Sequence, residues 1–207
     1  MSSHVLKKFS FEKDSLVLIA MPSFGGVAPG LALERLSMLK GNNAMCVVTA
    51  VYGNRAYEDT LLQMQDYAQT SGFQVIAAIS AVAEHSIIRK YATGRPNLND
   101  YKELSEFGNR ILEKAASGAL STPVVPGNRP YKKAGTGMIP KADATCTSCG
   151  LCARKCPSGA IRRTEAFRQK QMYLLYEMCV HMPGSCKKGQ PAYDFNRCRC
   201  TQKSLLY

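Results

Sequence analysis

The stretch CTSCGLCARKCPSGAI, residues 146–161, holds four cysteines at spacings of two, two and three residues, and a proline follows the last. Soft thiolates select zinc or iron–sulfur clusters over hard cations. A run this tight lets one turn of backbone wrap a cubane cluster and aim amides at its sulfides, and Cys146, Cys149 and Cys152 suit that role. In two-cluster arrangements the fourth cysteine, followed by proline, ligates the other cluster, and here that is Cys156. Zinc is the competing metal, but zinc ribbons divide their ligands into two C-x2-C pairs some 15–20 residues apart, unlike this run. Arg154 and Lys155 interrupt the motif, which argues against four inert, buried thiols.

A partner motif of the same spacing, begun at Cys179, needs cysteines at 182, 185 and 189 and a proline at 190. The chain has Met182, Ser185, Gly189 and Gln190 there. Cys186 falls one place beyond the required position, and Cys198 and Cys200 follow at an unrelated spacing. A reading-frame slip or natural decay near Met182 would produce such a tail. The expectation is therefore one [4Fe-4S] cluster, with no orderly ligand set for a second. Its fourth thiolate has to come from outside the first loop. Cys186 is nearest in sequence, Cys198 or Cys200 serve if the tail folds back, and Cys156 closing its own cluster is the poorer geometry. Cys46 lies within an apolar run and reads as a core residue.

The surrounding composition fits bound metal. The chain has 207 residues, nine cysteines and a formal net charge of +12. Its first 15 residues have no apolar core or cleavage-like site, and no apolar run approaches the roughly 20 residues that span a bilayer. The expected location is the cytoplasm, where thiols stay reduced and cysteine-rich chains bind metal more often than they form disulfides. Residues 1–128 carry 12 Lys+Arg against 11 Asp+Glu, whereas residues 129–207 carry 15 against 4. The basic half is also the half with eight of the nine cysteines. Cations next to an anionic thiolate cluster stabilise it and tune its potential. Nucleic-acid binding is the other reading of a basic region, but no nucleic-acid motif accompanies the charge.

The elements that must position this chemistry come earlier in the chain. LVLIA (16–20), AMCVVTAV (44–51) and QVIAAIS (74–80) are unbroken apolar runs, the pattern of strands buried on both faces of a parallel sheet. Helices are predicted between and after them. One runs from Leu31 to Leu39. A second, 57–71, has Leu61, Met64 and Ala68 on one face. A third, 101–116, has Tyr101, Leu104, Phe107 and Ile111 on one face and Asn99 as its cap. The class is α/β with a parallel sheet. In such sheets ligands sit beyond the carboxyl ends of the strands, at the loops MPSFGGVAPG (21–30), YGNRAYED (52–59) and AVAEHSI (81–87). Gly and Pro in the first admit close backbone approach to a planar ligand, or simply make turns. Tyr52 and Tyr57 offer stacking faces, and Asn54 and Arg55 offer polar contacts. Glu84 and His85 read as surface or helix-start residues. Residues 119–145, rich in Pro and Gly, read as a linker along the first domain, with Val124 and Val125 as its apolar contacts. The division is thus a domain over 1–118, a linker over 119–145 and a metal-binding domain over 146–207.

PSFGGVAP, VTAVYGNRAYEDTLL and VAEHSI…GRPNLND resemble the flavodoxin-like half of a family of flavodoxin–ferredoxin fusion proteins, and the cysteine motif resembles their ferredoxin half. The resemblance implies a partial flavodoxin-like sheet followed by a small ferredoxin-like domain. It further implies FMN, with Pro22, Ser23, Phe24, Gly25 and Gly26 and with Tyr52, Gly53, Asn54, Arg55 and Tyr57 bordering the isoalloxazine ring. Phe24 stands where such loops often carry Tyr. The Ser/Thr-Gly loop that cradles a flavin phosphate in this family has no counterpart in the chain. By this comparison the sequence starts just before the third strand, about 50 residues into a doubly wound domain. Strand 16–20 is then expected as an uncovered apolar edge, a template for pairing with another chain.

Two function classes follow. One is an electron carrier or redox subunit that passes single electrons to or from a flavin or a partner protein. The other is a zinc-binding, basic interaction module, alongside the deflationary reading of a defective fragment of such a fusion. No nucleophile–base pair marks a catalytic reaction.

Overall fold

A computed structural model describes residues 9–86, 88–118 and 120–133, together with Gly150, Ala153 and Arg154. The chain divides into two compact units, Met1–Ala134 and Gly135–Tyr207. The first unit is α/β, in the order β1 (Leu16–Pro22), α1 (Gly30–Leu36), β2 (Met45–Tyr52), α2 (Thr60–Thr70), β3 (Gln74–Val82) and α3 (Leu98–Ser117).

The three apolar runs form one parallel sheet in the order β1-β2-β3. β1 pairs with β2 from Leu16–Met45 to Pro22–Val51 without interruption, whereas the β2–β3 register shifts between Cys46 and Val47. Central β2 is buried along most of its length because it has a neighbouring strand on each side and α2 packed on one face. On one face Ile19 and Met21, Cys46, Val48 and Ala50, and Val75 pack against Leu33 and Leu36 of α1 and Leu61, Met64 and Ala68 of α2. The apolar face predicted for the second helix is the face buried here.

α3 lies along β3. Its predicted stripe is only half covered: Leu104 and Ile111 are partly buried, while Tyr101 is 60% exposed and Phe107 42%. One strand beneath a 20-residue helix cannot cover its whole apolar face. The helix also starts earlier than predicted. Its cap is Asn97, not Asn99: the Asn97 side chain accepts from the Asn99 and Asp100 amides at 2.9 and 3.2 Å. Asp100 reciprocates by accepting from the Asn97 amide at 2.6 Å, so two orphan donors are satisfied together. α1 is shorter than predicted, ending at Leu36, because the amides of Met38 and Leu39 bond three residues back, to the Arg35 and Leu36 carbonyls at 3.2 and 3.0 Å, and so tighten the chain out of the α-helix.

Residues 120–133 run along the first unit. Val125 packs against the core, but Val124 is fully exposed, so only one of the two valines makes the predicted contact. No helix among the described residues is long and apolar enough to cross a membrane.

Candidate functional site

The two glycine-bearing loops predicted to border a planar ligand come together at the carboxyl ends of β1 and β2. The Thr60 hydroxyl donates to Ser23 Oγ at 2.8 Å, and Ser23 Oγ donates to the Tyr57 carbonyl at 3.5 Å. The Asp59 amide donates to the Gly26 carbonyl at 2.9 Å. Tyr52 and Tyr57 meet edge to face with ring centroids 5.2 Å apart, the arrangement that aromatic quadrupoles favour. Asn54 adopts a left-handed backbone at φ 61°, which Asn tolerates better than most residues. Arg55 donates to Glu58 at 2.6 Å. Pro22 ends β1, and Phe24 is tied across its own turn to Val27 by a backbone hydrogen bond of 2.9 Å.

Side chains face two of the four loop glycines. The Glu58 carboxylate occupies the space over Gly26, where an added Cβ would lie 2.0 Å from Oε2. His85 packs on Gly53, with its ring 2.6 Å from the same construction, while Gly25 faces open space. His85 is therefore a packing residue of the 52–57 loop, and its Nδ1 accepts from the Ile88 amide at 3.1 Å. Glu84 organises the neighbouring loop by accepting from Arg89 at 2.5 Å and from the Gly94 amide at 3.1 Å.

Sequence reasoning missed a carboxylate clasp at the start of α2. Asp59, buried, accepts from the amides of Asn128 at 2.8 Å and Lys132 at 2.6 Å. Glu58 accepts from Lys132 Nζ at 2.6 Å, and Asp66 accepts from Arg129 Nε and Nη2, at 2.8 and 2.5 Å, and from the Tyr131 hydroxyl. All three carboxyls are held below their ordinary range. The leading causes are the Lys132 amide for Asp59, the Arg129 guanidinium for Asp66 and the Lys132 ammonium for Glu58. Burial and the Asp66 contact push the Tyr131 hydroxyl up to about 12. The available signal was charge: acids at 58, 59 and 66 face a short N-R-P-Y-K-K run. The clasp fastens the chain just before the cysteine-rich unit begins.

In that unit the candidate ligands Cys146, Cys149, Cys152, Cys156, Cys179 and Cys186 lie outside the described residues. Two details inside the motif are described. Gly150 has φ 68°, a left-handed conformation that suits glycine, directly after Cys149. The Arg154 amide donates to the Gly150 carbonyl at 3.1 Å. Cys46 is fully buried, and burial pushes its thiol up to about 12. It is a core residue, as its apolar neighbours predicted.

Residues 143–162 match the family model of the 4Fe-4S binding domain. Comparison with curated proteins and with solved structures gives no match. A ferredoxin-type iron–sulfur region therefore covers the four clustered cysteines, and iron–sulfur is favoured over zinc there. The match does not reach the first unit, whose flavodoxin-like resemblance rests on the quoted motifs and on its parallel sheet.

Proposed function

We propose that the chain is an iron–sulfur electron-transfer protein with one [4Fe-4S] cluster held by Cys146, Cys149, Cys152 and a fourth thiolate from outside that loop, with Cys186 the candidate nearest in sequence ahead of Cys198 and Cys200. The supporting observation is the coincidence of the C-x2-C-x2-C-x3-C-P spacing with the 4Fe-4S family match over 143–162. A bound cluster of this kind takes up and releases a single electron. The chain's part is to supply the thiolates and to surround them with cations. Gly150 supplies a left-handed backbone position directly after Cys149, and Arg154, Lys155, Arg162 and Arg163 add positive charge to the motif and its flank. Positive charge near the site favours the more negative, reduced state and so raises the potential. Cys156 and Cys179 are what remains of a second ligand set.

The 4Fe-4S family match does not extend to the strand-end loops, so no flavin is assigned to them. An anion, Glu58, stands over Gly26 and His85 covers Gly53. The other end of the electron's path is accordingly assigned to a separate redox protein. Its surface is expected to be acidic, to complement the 15 cations against 4 acids of residues 129–207.

The test is metal and sulfide analysis of anaerobically purified protein. About four irons and four acid-labile sulfides per chain, with broad visible absorbance, are expected. Cys149→Ser should lose most of that absorbance, as should the variant of the fourth ligand, tried first at Cys186, whereas Cys46→Ser should keep it. Stoichiometric zinc without iron would overturn the proposal.

A further inference from the structure

Residues 120–133 lie on the first unit without a helix or strand of their own, and two kinds of contact hold them there. Up to Gly127 the contacts are apolar packing and donors to the segment's carbonyls. Val125 packs against the core. Gln65 Nε2 donates to the Pro123 carbonyl at 3.1 Å, Gln74 Nε2 to that of Leu120 at 3.2 Å and Lys114 Nζ to that of Ser121 at 2.9 Å. Gly127 lies so close to α2 that an added Cβ would be 2.7 Å from the Leu62 Cβ. From Asn128 to Lys132 the character changes. Every hydrogen bond of these residues ends on a carboxylate of Glu58, Asp59 or Asp66, and none of them belongs to the apolar cluster.

Those bonds interleave. Asp59 takes the amides of residues 128 and 132, at 2.8 and 2.6 Å, and Asp66 takes the side chains of residues 129 and 131, which lie between them. Neither pair can leave without straining the other, so the segment is tied as one cooperative piece. Its cations are open to water: the Arg129 side chain is 60% exposed and that of Lys132 46%. Charge pairs at such exposure hold less firmly than buried apolar contacts. Asp59 also has somewhere to go. It stands at the N-cap of α2 yet makes no capping bond there, and a negative charge beside a helix N-terminus is favourable.

We propose that residues 128–132 are a latch that swings open about Gly127 as one unit while the sheet and helices of the first unit stay folded. A glycine gives that hinge its freedom, and the apolar anchor at Val125 lies two residues before it. Opening moves the last anchored residue from Lys132 back to Gly127. The freed stretch adds up to about 17 Å of reach to the chain that leads to the cysteine-rich unit. A longer tether enlarges the volume that this unit searches for a partner and lowers its effective concentration at any one place.

The experiment is native-state amide exchange on the full, anaerobically purified chain at low denaturant, resolved to single residues. After correction for intrinsic rates, Asn128 and Lys132 are expected to exchange at least about a hundredfold faster than the buried amides of β2, and with little dependence on denaturant, as a small opening gives. Asp66→Asn touches neither amide, yet it should speed both by the same factor, about fivefold or more. Arg129→Gln breaks the same contact from the latch side, on an exposed side chain, and should have the same effect whatever Asp66→Asn does to α2. Three outcomes would each overturn the inference. They are exchange at both amides that matches β2 in rate and denaturant dependence; exchange that neither variant changes; and variants that speed one of the two amides without the other. None of these readouts depends on the cluster, so the inference and the electron-transfer proposal fail separately.

Discussion

Asp59 does the most for the first unit's chain path, because it is buried and satisfies two backbone amides 69 and 73 residues away. Asp59→Asn keeps the size but removes the charge that both amides meet. It should destabilise the unit by about 1–3 kcal/mol in chemical denaturation, with faster amide exchange at Asn128 and Lys132. The clasp also carries a pH signature. Folding lowers the pKa of Asp59, Asp66 and Glu58, so below their ordinary range the unfolded chain binds more protons. Their contribution is complete above about pH 4–5 and is lost as pH falls through the lowered folded values. The melting temperature of the wild type should decline on acidification in that window, and that of a variant with all three acids neutralised should decline less. At the other extreme is Cys46. With its thiol pushed up to about 12 and no exposed surface, it should escape iodoacetamide in the native protein at neutral pH and react once the chain is unfolded, as read by peptide mass spectrometry.

At the scale of elements, the strands were legible because each is an unbroken apolar run, and the buried face of α2 because Leu61, Met64 and Ala68 recur at helical spacing. α3 was legible as a helix but not in its start. Two asparagines, at 97 and 99, compete as caps, and what decides is Asp100, whose carboxylate reaches back to the Asn97 amide and also holds Arg95. Asn97→Ala should therefore cost about 1 kcal/mol, whereas Asn99→Ala should cost a few tenths at most. The turn before β2 makes a harder constraint. A Cβ on Gly41 would lie 2.5 Å from the backbone of Gly72 and Phe73, atoms that cannot rotate away. Gly41→Ala is expected to destabilise the unit by roughly 1–3 kcal/mol or more, while Gly30→Ala, where the added carbon meets open space, should be neutral or better. Equilibrium denaturation of the two variants side by side checks both.

Across the whole molecule, sequence resolved the two ends of the chain unequally. The cysteine spacing is a local pattern, so the 4Fe-4S region could be read without any tertiary structure, and the family match falls on the same residues. The clasp could not, because it joins residues 58–66 to 128–132 through contacts that no window of sequence contains. Composition let residues 119–145 be read as a linker along the first domain through Val124 and Val125, but it did not show that carboxylates of α2 and the turn before it would hold residues 128–132. Nor did the glycines of the strand-end loops announce that Glu58 and His85 would sit on two of them. The central claim is that thiolates of the 146–156 loop hold a redox-active [4Fe-4S] cluster. Electron paramagnetic resonance of the anaerobic, dithionite-reduced protein addresses it most directly. The account predicts a low-temperature signal near g 1.9–2.0 integrating to about one spin per chain and absent from Cys149→Ser. No signal in the wild type, or the same signal in both proteins, would contradict it.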